Sequence, residues 1–415
     1  MTSSENEIWQ PDPPVLLSPW HTPEREALQL QARRFAMVEV LPVADELDPQ
    51  KGEIPASLLG RLAELGWFGI TVPAEAGGLG LGVFEYCMVS EELARAWMST
   101  ASILARSQGL GTAVADDDRR HELLGRSARG EWIGAIALSE PDAGSDLAGV
   151  STRAVRDGDE WVVTGRKRWC GNAKAADFIQ VLVRERDPEE GESRSKGLVN
   201  LLLEKKRGEF PEGLSGYPID KVGYHGFLTW DLTFDGVRIP AGNVIDEAAA
   251  SDEEGDDAKR AGFAEAQKFL NTARVHTAAR AVGLARAALE DSILYLQERE
   301  QFGHPIGDFQ ALRFNVAEMA AQIEQSRAFY RQVAHLLDLG IACEKEASMV
   351  KLEATEMSVR VTNQAMQLHG GNGYTTERQV ERHWRDARLT TIFEGTSEIQ
   401  KRIISDRLLP RSPLT

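Results

Sequence analysis

Near its C-terminus the chain reads Ile392-Phe393-Glu394-Gly395-Thr396. A carboxylate set between two large apolar residues and a glycine is a candidate general base, because burial disfavours its charged form and raises its pKa. The same letters occur at ordinary helix starts. Upstream lie Gly370 and Gly371, then Gly373 and Tyr374, then a run of Glu381, Arg382, Arg385, Asp386 and Arg388. A second stretch, Ala137–Asp146 (ALSEPDAGSD), offers the hydroxyls of Ser139 and Ser145 and backbone N–H groups freed by Gly144. Fixed donors of that kind suit a ring edge or a phosphate, although a plain Pro/Asp/Gly connection with serine caps explains the letters equally. Trp169-Cys170-Gly171-Asn172 places a large flat side chain beside closely approachable backbone; tryptophan is more often core than platform. Arg299 complements a helix C-terminus or pairs with a pyrophosphate. Arg274, among Ala273, Val275 and Ala278, is harder to place on a solvated face.

The elements that must position these residues follow from periodicity. Residues 1–21 are rich in Ser, Pro and Glu and read as an arm. Thr22-Pro23-Glu24 is a helix start, with Leu28, Ala32, Phe35 and Val38 at helical spacing up to Pro42. A second helix carries Leu58, Leu59, Leu62 and Leu65 and stops at Gly66, and a third runs from Val83 to Trp97. From Glu131 the period changes to that of strands: 132–138, 149–156 and 160–168 around the Asp157-Gly158 hairpin signal, then 178–184, 198–203 and 229–234. Residues 246–261 hold an acidic loop (AAASDEEGDDAK at 248–259). From Gly262 the chain reads as long helices, to Gln301, over 309–339, over 344–369 and after Thr396. The expectation is an α+β chain. Helices fill 22–130, a small β-barrel or β-sandwich fills 131–245, and a four-helix bundle fills 262–415.

Composition narrows the function classes. The chain has 415 residues, 42% hydrophobic, enough for two or three domains. Its net charge of -17 argues against nucleic acid and anionic membranes as partners. A polyanionic ligand would need a local arginine cluster. Cys87, Cys170 and Cys343 are too scattered for a metal site or a redox pair and read as small buried hydrophobes. The N-terminus lacks the pattern of a targeting segment and no apolar run could span a bilayer, so a soluble, cytoplasmic protein is expected.

Taken in order, SEPDAGSD, KRWCGNA, RVHTAARAVGLA, REQFGHPIGDFQ, LHGGNGYTTE and RDARLTTIFEGTSEIQ resemble the acyl-CoA dehydrogenase family over nearly the whole chain. The resemblance implies FAD as cofactor and α,β-desaturation of an acyl-CoA, as in fatty-acid β-oxidation. Glu394 stands at the base position of the short- and medium-chain branch. It would remove the α-proton while hydride leaves Cβ for flavin N5. Other branches place the base just before an arginine that here is Arg274; this chain has Ala273 there. Carried over residue by residue, Ile136, Leu138, Ser139, Gly144, Ser145, Trp169, Cys170 and Gly171 meet the flavin. Thr396 and Glu398 also contact FAD. Ser145, Asn271, Arg274, Glu394 and Gly395 meet the acyl-CoA. Arg299, Gln301, Phe302, Gln310, Gln367, Leu368, Gly370 and Gly371 match positions that hold the FAD of a neighbouring subunit in a homodimer or homotetramer. Electrons would pass to an electron-transfer flavoprotein.

Two departures stand out. Gly171 replaces a threonine whose hydroxyl reaches flavin N5 in many members, which bears on oxygen reactivity. Met98 stands where glutaryl-type members use an arginine for a distal carboxylate, which speaks against a dicarboxylyl substrate. Alternatives of other kinds are a flavin acyl-CoA oxidase, a specialised acyl-thioester dehydrogenase, or a silent acyl-CoA-binding scaffold.

Overall fold

The computed structural model describes residues 20–114, 116–245 and 256–409, and for 256–268 the backbone alone. Most of the arm and residues 246–255 of the acidic stretch lie outside the described residues. Thr22 opens α1 (Pro23–Phe35), its hydroxyl accepting the Arg25 N–H at 3.2 Å. The helical path does not end before Pro42 as expected. It passes through a π turn at Ala36–Val40 into α2 (Leu41–Leu47), where Pro42 stands in the first turn and its missing N–H costs little. Next come α3 (Ala56–Glu64), closed by Gly66 at φ 72°, and α4 (Val83–Ala96). Two further helices complete this part: α5 (Met98–Leu104), which restarts after the extended Trp97, and α6 (Asp117–Ala128), capped by the Asp116 carboxylate.

Seven strands form one sheet: β1 (Gly134–Ala137), β2 (Arg153–Asp157), β3 (Glu160–Gly171), β4 (Phe178–Arg184), β5 (Leu198–Glu204), β6 (Leu214–Pro218) and β7 (Thr229–Pro240). The order is β1-β4-β2-β3-β7-β6, with β5 also paired to β4. Strands β2 and β3 meet in a hairpin whose last pair is Asp157 with Glu160, Gly158 taking φ 61°. All seven strands feed one apolar core that includes Ala135, Ala154, Val163, Val181, Leu201, Leu214 and Phe234, so the sheet wraps a single interior. Strand β6 escapes sequence patterning because only Leu214 of its five residues is buried.

The C-terminal helices are α7 (Asp256–Glu298), α8 (Gln310–Asp338), α9 (Glu344–His369), α10 (Val380–Thr390) and α11 (Ser397–Leu408). A short hairpin, β8 (Glu300–Gln301) with β9 (His304–Pro305), joins α7 to α8. Helix α7 begins inside the stretch expected as loop, and α10 is helical where only an Arg/Asp-rich run was read.

Helix α4 packs into the C-terminal bundle rather than on its own part alone. The core joins Val83, Phe84 and Met88 of α4 to Val282, Ala285, Tyr330 and Val350. A Cβ on Gly283 would lie 2.4 Å from the Glu91 carbonyl oxygen, so the two helices touch backbone to backbone there. Beside that contact runs a buried ionic network. Arg286 reaches Glu91 and Glu92, Arg327 reaches Glu91, and Arg33 and Arg95 share Glu290. Asp291 takes Arg95 and His383. No helix among the described residues is long and apolar enough to cross a membrane.

Candidate active site

Glu394 lies in the turn between α10 and α11, at φ 53°, followed by Gly395 at φ 87°. Two consecutive left-handed residues make a sharp kink that only a glycine relieves cheaply. Three groups fix the turn. Lys351, fully buried on α9, donates its Nζ proton to the Gly395 carbonyl at 2.7 Å. The Gln400 amide donates to the same carbonyl at 3.0 Å and to that of Glu394 at 3.3 Å. Thr396 caps α11 through its hydroxyl. Burial pushes the Lys351 ammonium down to about 8, the Glu394 carboxylate opposing. Among the described residues no acceptor takes the Glu394 N–H. The Glu394 side chain is exposed, which corrects the expectation of a carboxylate buried by the protein itself. The kink turns it outward, and Phe393 takes the inner position.

The loop after β1 is held from below by Glu140. Its carboxylate accepts the Ser151 and Thr152 N–H groups and the buried Lys167 ammonium, each at 2.9 Å. Burial works against the charge, but the Ser151, Thr152 and Lys167 bonds hold the carboxyl down at about 2. Ile136, Leu138 and Ser139 are half-buried, and Gly144 and Ser145 face solvent. Ser145 lines a cavity of about 440 Å³ with Asp146, Leu147, Ala148, Arg194, Ile399 and Arg402. That cavity brings the loop against the start of α11, where Thr396 and Glu398 stand.

Trp169 is not core: its side chain is 56% exposed at φ 66°. The β3–β7 ladder slips between Lys167 and Cys170, and this bulge re-aims Trp169 outward while Cys170 stays buried. An exposed aromatic ring on strained backbone fits a platform for a flat ring system. Gly171 has a local reason in this chain. A Cβ there would meet the Arg106 Nη2 at 2.9 Å and the Phe227 ring at 3.2 Å.

On α7, Asn271 and Arg274 are buried, Arg274 donating to the side-chain amide oxygen of Asn271 at 2.8 Å. Burial lowers the Arg274 pKa, with Glu344 and Glu394 opposing. Met98 packs inside an aromatic cluster with Tyr224 and Phe227, and the Tyr224 ring lies 5.8 Å from Phe393. The turn bearing Glu394 therefore meets residues from all three parts of the chain.

The remaining candidates form a separate group. Arg299, Gln301, Phe302 and Gln310 surround the β8–β9 hairpin, exposed, with Phe302 90% accessible at its tip. Gln367, Gly370 and Gly371 are exposed at the end of α9, while Leu368 is buried. The two ends are joined where His369 stacks on Tyr295 at 4.5 Å and Asn372 donates to the Tyr295 hydroxyl. Arg274 and Arg299 are separated by 25 residues, almost all on one helix, roughly 37 Å. The second group is not part of the Glu394 site of the same chain.

Sequence reasoning missed Lys351, Gln400, Arg106 and Arg280. Lys351 carried a signal: it interrupts a buried helical face of Ala347, Val350 and Ala354. The Arg/Asp run proves to be structural. Arg382 pairs with Asp45, Arg385 with Asp48 and Glu381, and Asp386 accepts the Tyr224 N–H at 2.5 Å.

Comparison with known proteins agrees with this layout. Models of the acyl-CoA dehydrogenase N-terminal, middle and C-terminal domains match residues 22–131, 135–237 and 260–409. The mitochondrial short-chain specific acyl-CoA dehydrogenase of Bos taurus is 34% identical over 92% of this chain and 90% of its own. A 3-(aryl)acrylate reductase of Clostridium sporogenes is 35% identical over 94% of this chain and 99% of its own. The solved butyryl-CoA dehydrogenase of Megasphaera elsdenii superposes with a TM-score of 0.82 at 31% identity, covering 94% of this chain and 99% of that one. With three domain models in order and a matching fold, the chain belongs to the acyl-CoA dehydrogenase family.

Proposed function

We propose that Glu394 is the base with which this FAD-dependent acyl-CoA dehydrogenase takes the α-proton of its thioester. The observation that carries the proposal is the kinked turn itself. A carboxylate on left-handed backbone is anchored through its neighbouring carbonyls by two buried side chains, Lys351 and Gln400. Its position is set by buried donors rather than by a mobile loop.

The fit to FAD rests on the exposed Trp169 ring, the open Gly144–Ser145 loop and the hydroxyl of Thr396. FAD, when bound, supplies the acceptor for the β-hydride. The chain's own part is binding, orientation and proton transfer. The unengaged Glu394 N–H is a donor for the thioester carbonyl, acidifying the α-carbon in the manner of an oxyanion hole. Bound substrate would supply the desolvation that the exposed Glu394 carboxylate lacks. Asn271 and Arg274 stand where the acyl-CoA enters, and the cavity beside Ser145 offers Arg194 and Arg402 to its phosphates.

The group around Arg299, Phe302, Gln310, Gly370 and Gly371 serves the FAD of a second copy. Its Arg299 stands roughly 37 Å along α7 from Arg274, and it exposes Phe302 at 90% and Tyr374 at 83%. Large exposed aromatics mark surfaces that a partner covers. The working form is a homo-oligomer in the cytoplasm, passing electrons to an electron-transfer flavoprotein. The test is anaerobic bleaching of the bound flavin by a panel of acyl-CoAs, followed under air by assay for hydrogen peroxide. Bleaching with little peroxide supports the dehydrogenase; rapid peroxide release would make it an oxidase.

A further inference from the structure

Next to the Glu394 turn lies a buried cation that no carboxylate among the described residues pairs. Arg280 on α7 is 3% exposed. Its Nη1 donates to the Ser102 hydroxyl at 2.6 Å and its Nη2 to the Thr277 hydroxyl at 2.8 Å. Its Nε has no partner. Among the described residues no carboxylate lies within ion-pair distance of it. The guanidinium sits 4.9 Å from the centre of the Phe393 ring, the residue just before Glu394.

Arg274 and Arg331 are also buried without an ion pair, but of these three only Arg280 stands against the ring of Phe393, next to Glu394; the remaining buried arginines are partnered. Arg33, Arg95, Arg286 and Arg327 each reach a carboxylate. Arg184 donates to four backbone carbonyls. A buried guanidinium facing two neutral hydroxyls bears a large desolvation cost with little in return. Such a cost is sustained where the charge has a partner that arrives from outside.

Its surroundings mark the direction from which a partner would come. Arg280 is six residues beyond Arg274 on α7, roughly 9 Å further along the helix. Tyr86 on α4 is buried, its ring stacked on His276 of α7 at 4.4 Å. Burial raises the phenol pKa, Arg280 and Arg106 opposing and Cys87 and Glu394 reinforcing. Arg106 closes the opposite end of the aromatic wall, 6.0 Å from the Phe227 ring.

We propose that Arg280 reads an anionic group, a carboxylate, at the far end of a short acyl chain whose α-carbon faces Glu394. This rests on the assignment of Glu394 above and names the substrate class for that site. It reverses the expectation drawn from Met98: the cation comes from α7, with Arg106 adding positive potential from beyond α5. A carboxylate accepts from the free Nε and from an Nη released by its hydroxyl, a paired geometry that lysine cannot reproduce.

The test uses the FAD-loaded enzyme and matched thioesters: succinyl-, glutaryl- and adipyl-CoA against butyryl-, valeryl- and hexanoyl-CoA. Dissociation constants are measured by calorimetry in a Glu394→Gln background, which needs no turnover. At one chain length the diacid thioester should bind roughly 10- to 100-fold tighter than its neutral counterpart. Arg280→Gln should erase that preference, and Arg280→Lys should restore part of it at equal FAD content. Neutral thioesters binding as well as diacids at every length would overturn the proposal. So would a preference that survives Arg280→Gln. Bleaching of the parent enzyme judges the Glu394 assignment separately. A charge preference without bleaching would strike that assignment and leave this one standing.

Discussion

At the scale of single residues, the proposed base sits in the turn 393–396, whose geometry makes specific demands. Gly395 combines φ 87° with a Cβ position 2.6 Å from the Gln400 amide nitrogen. Gly395→Ala should therefore displace Gln400 and strain the backbone by about 1–3 kcal/mol. The expected outcome is a fall in kcat with FAD content retained, read by steady-state assay and flavin absorbance. Lys351 acts at one remove, through the Gly395 carbonyl. Lys351→Met should lower kcat by roughly 10- to 100-fold with a smaller change in KM, because it loosens position rather than binding. An unchanged kcat would remove Lys351 from the positioning of the base. Glu394 itself was legible in the sequence as a candidate, but its exposure was not. Apolar neighbours in sequence say nothing of which way a left-handed kink points a side chain.

At the scale of elements, the contact of α4 with α7 shows what periodicity cannot reveal. Glu91, Glu92, Arg286 and Glu290 read as ordinary helical charges, yet all four are buried. Their meaning depends on two helices almost 200 residues apart lying side by side. Gly283→Ala would press a methyl group against the Glu91 carbonyl and should cost about 1–3 kcal/mol of stability by overpacking. Arg286→Met would leave Glu91 and Glu92 short of a partner and should cost about 3–5 kcal/mol. Thermal unfolding checks both, and a stabilised Arg286→Met would show the network to be dispensable. The long helices and most strands were readable because their faces repeat over many turns. Helices α5 and α10 were not: the first is short and wholly buried, and the second is dense in charge. The Trp169 bulge was hidden for a similar reason, since strand alternation alone puts the ring in the core.

At the scale of the whole molecule, the three parts converge where Tyr224 meets both Phe393 and Asp386, and a pH response belongs to that junction. Burial first, and then the neighbouring Asp48, push the Asp386 carboxyl up from 3.8 to about 6. Asp48 itself, despite burial, is held down to about 2 by His225 and Arg385. A raised carboxyl favours the folded state while it is protonated. Its contribution is fullest below 3.8 and is lost as pH rises through about 6. Asp48 has the opposite sign, its contribution being lost as pH falls from 3.8 towards about 2. Asp386→Asn keeps an acceptor for Tyr224 and cannot ionise. Its Tm relative to the parent should improve as pH rises from about 4 to about 7, by the equivalent of roughly 2–3 kcal/mol; a constant difference would contradict the assignment. The family resemblance placed two sets of FAD residues, and the fold separates them along α7, which no local motif could indicate. The measurement that bears most directly on the proposed base is anaerobic titration of FAD-loaded Glu394→Gln beside the parent. The variant should keep its FAD and still bind the thioester that bleaches the parent, while its own flavin is reduced at least about 10²-fold more slowly. Bleaching at the parental rate would show that another group takes the α-proton.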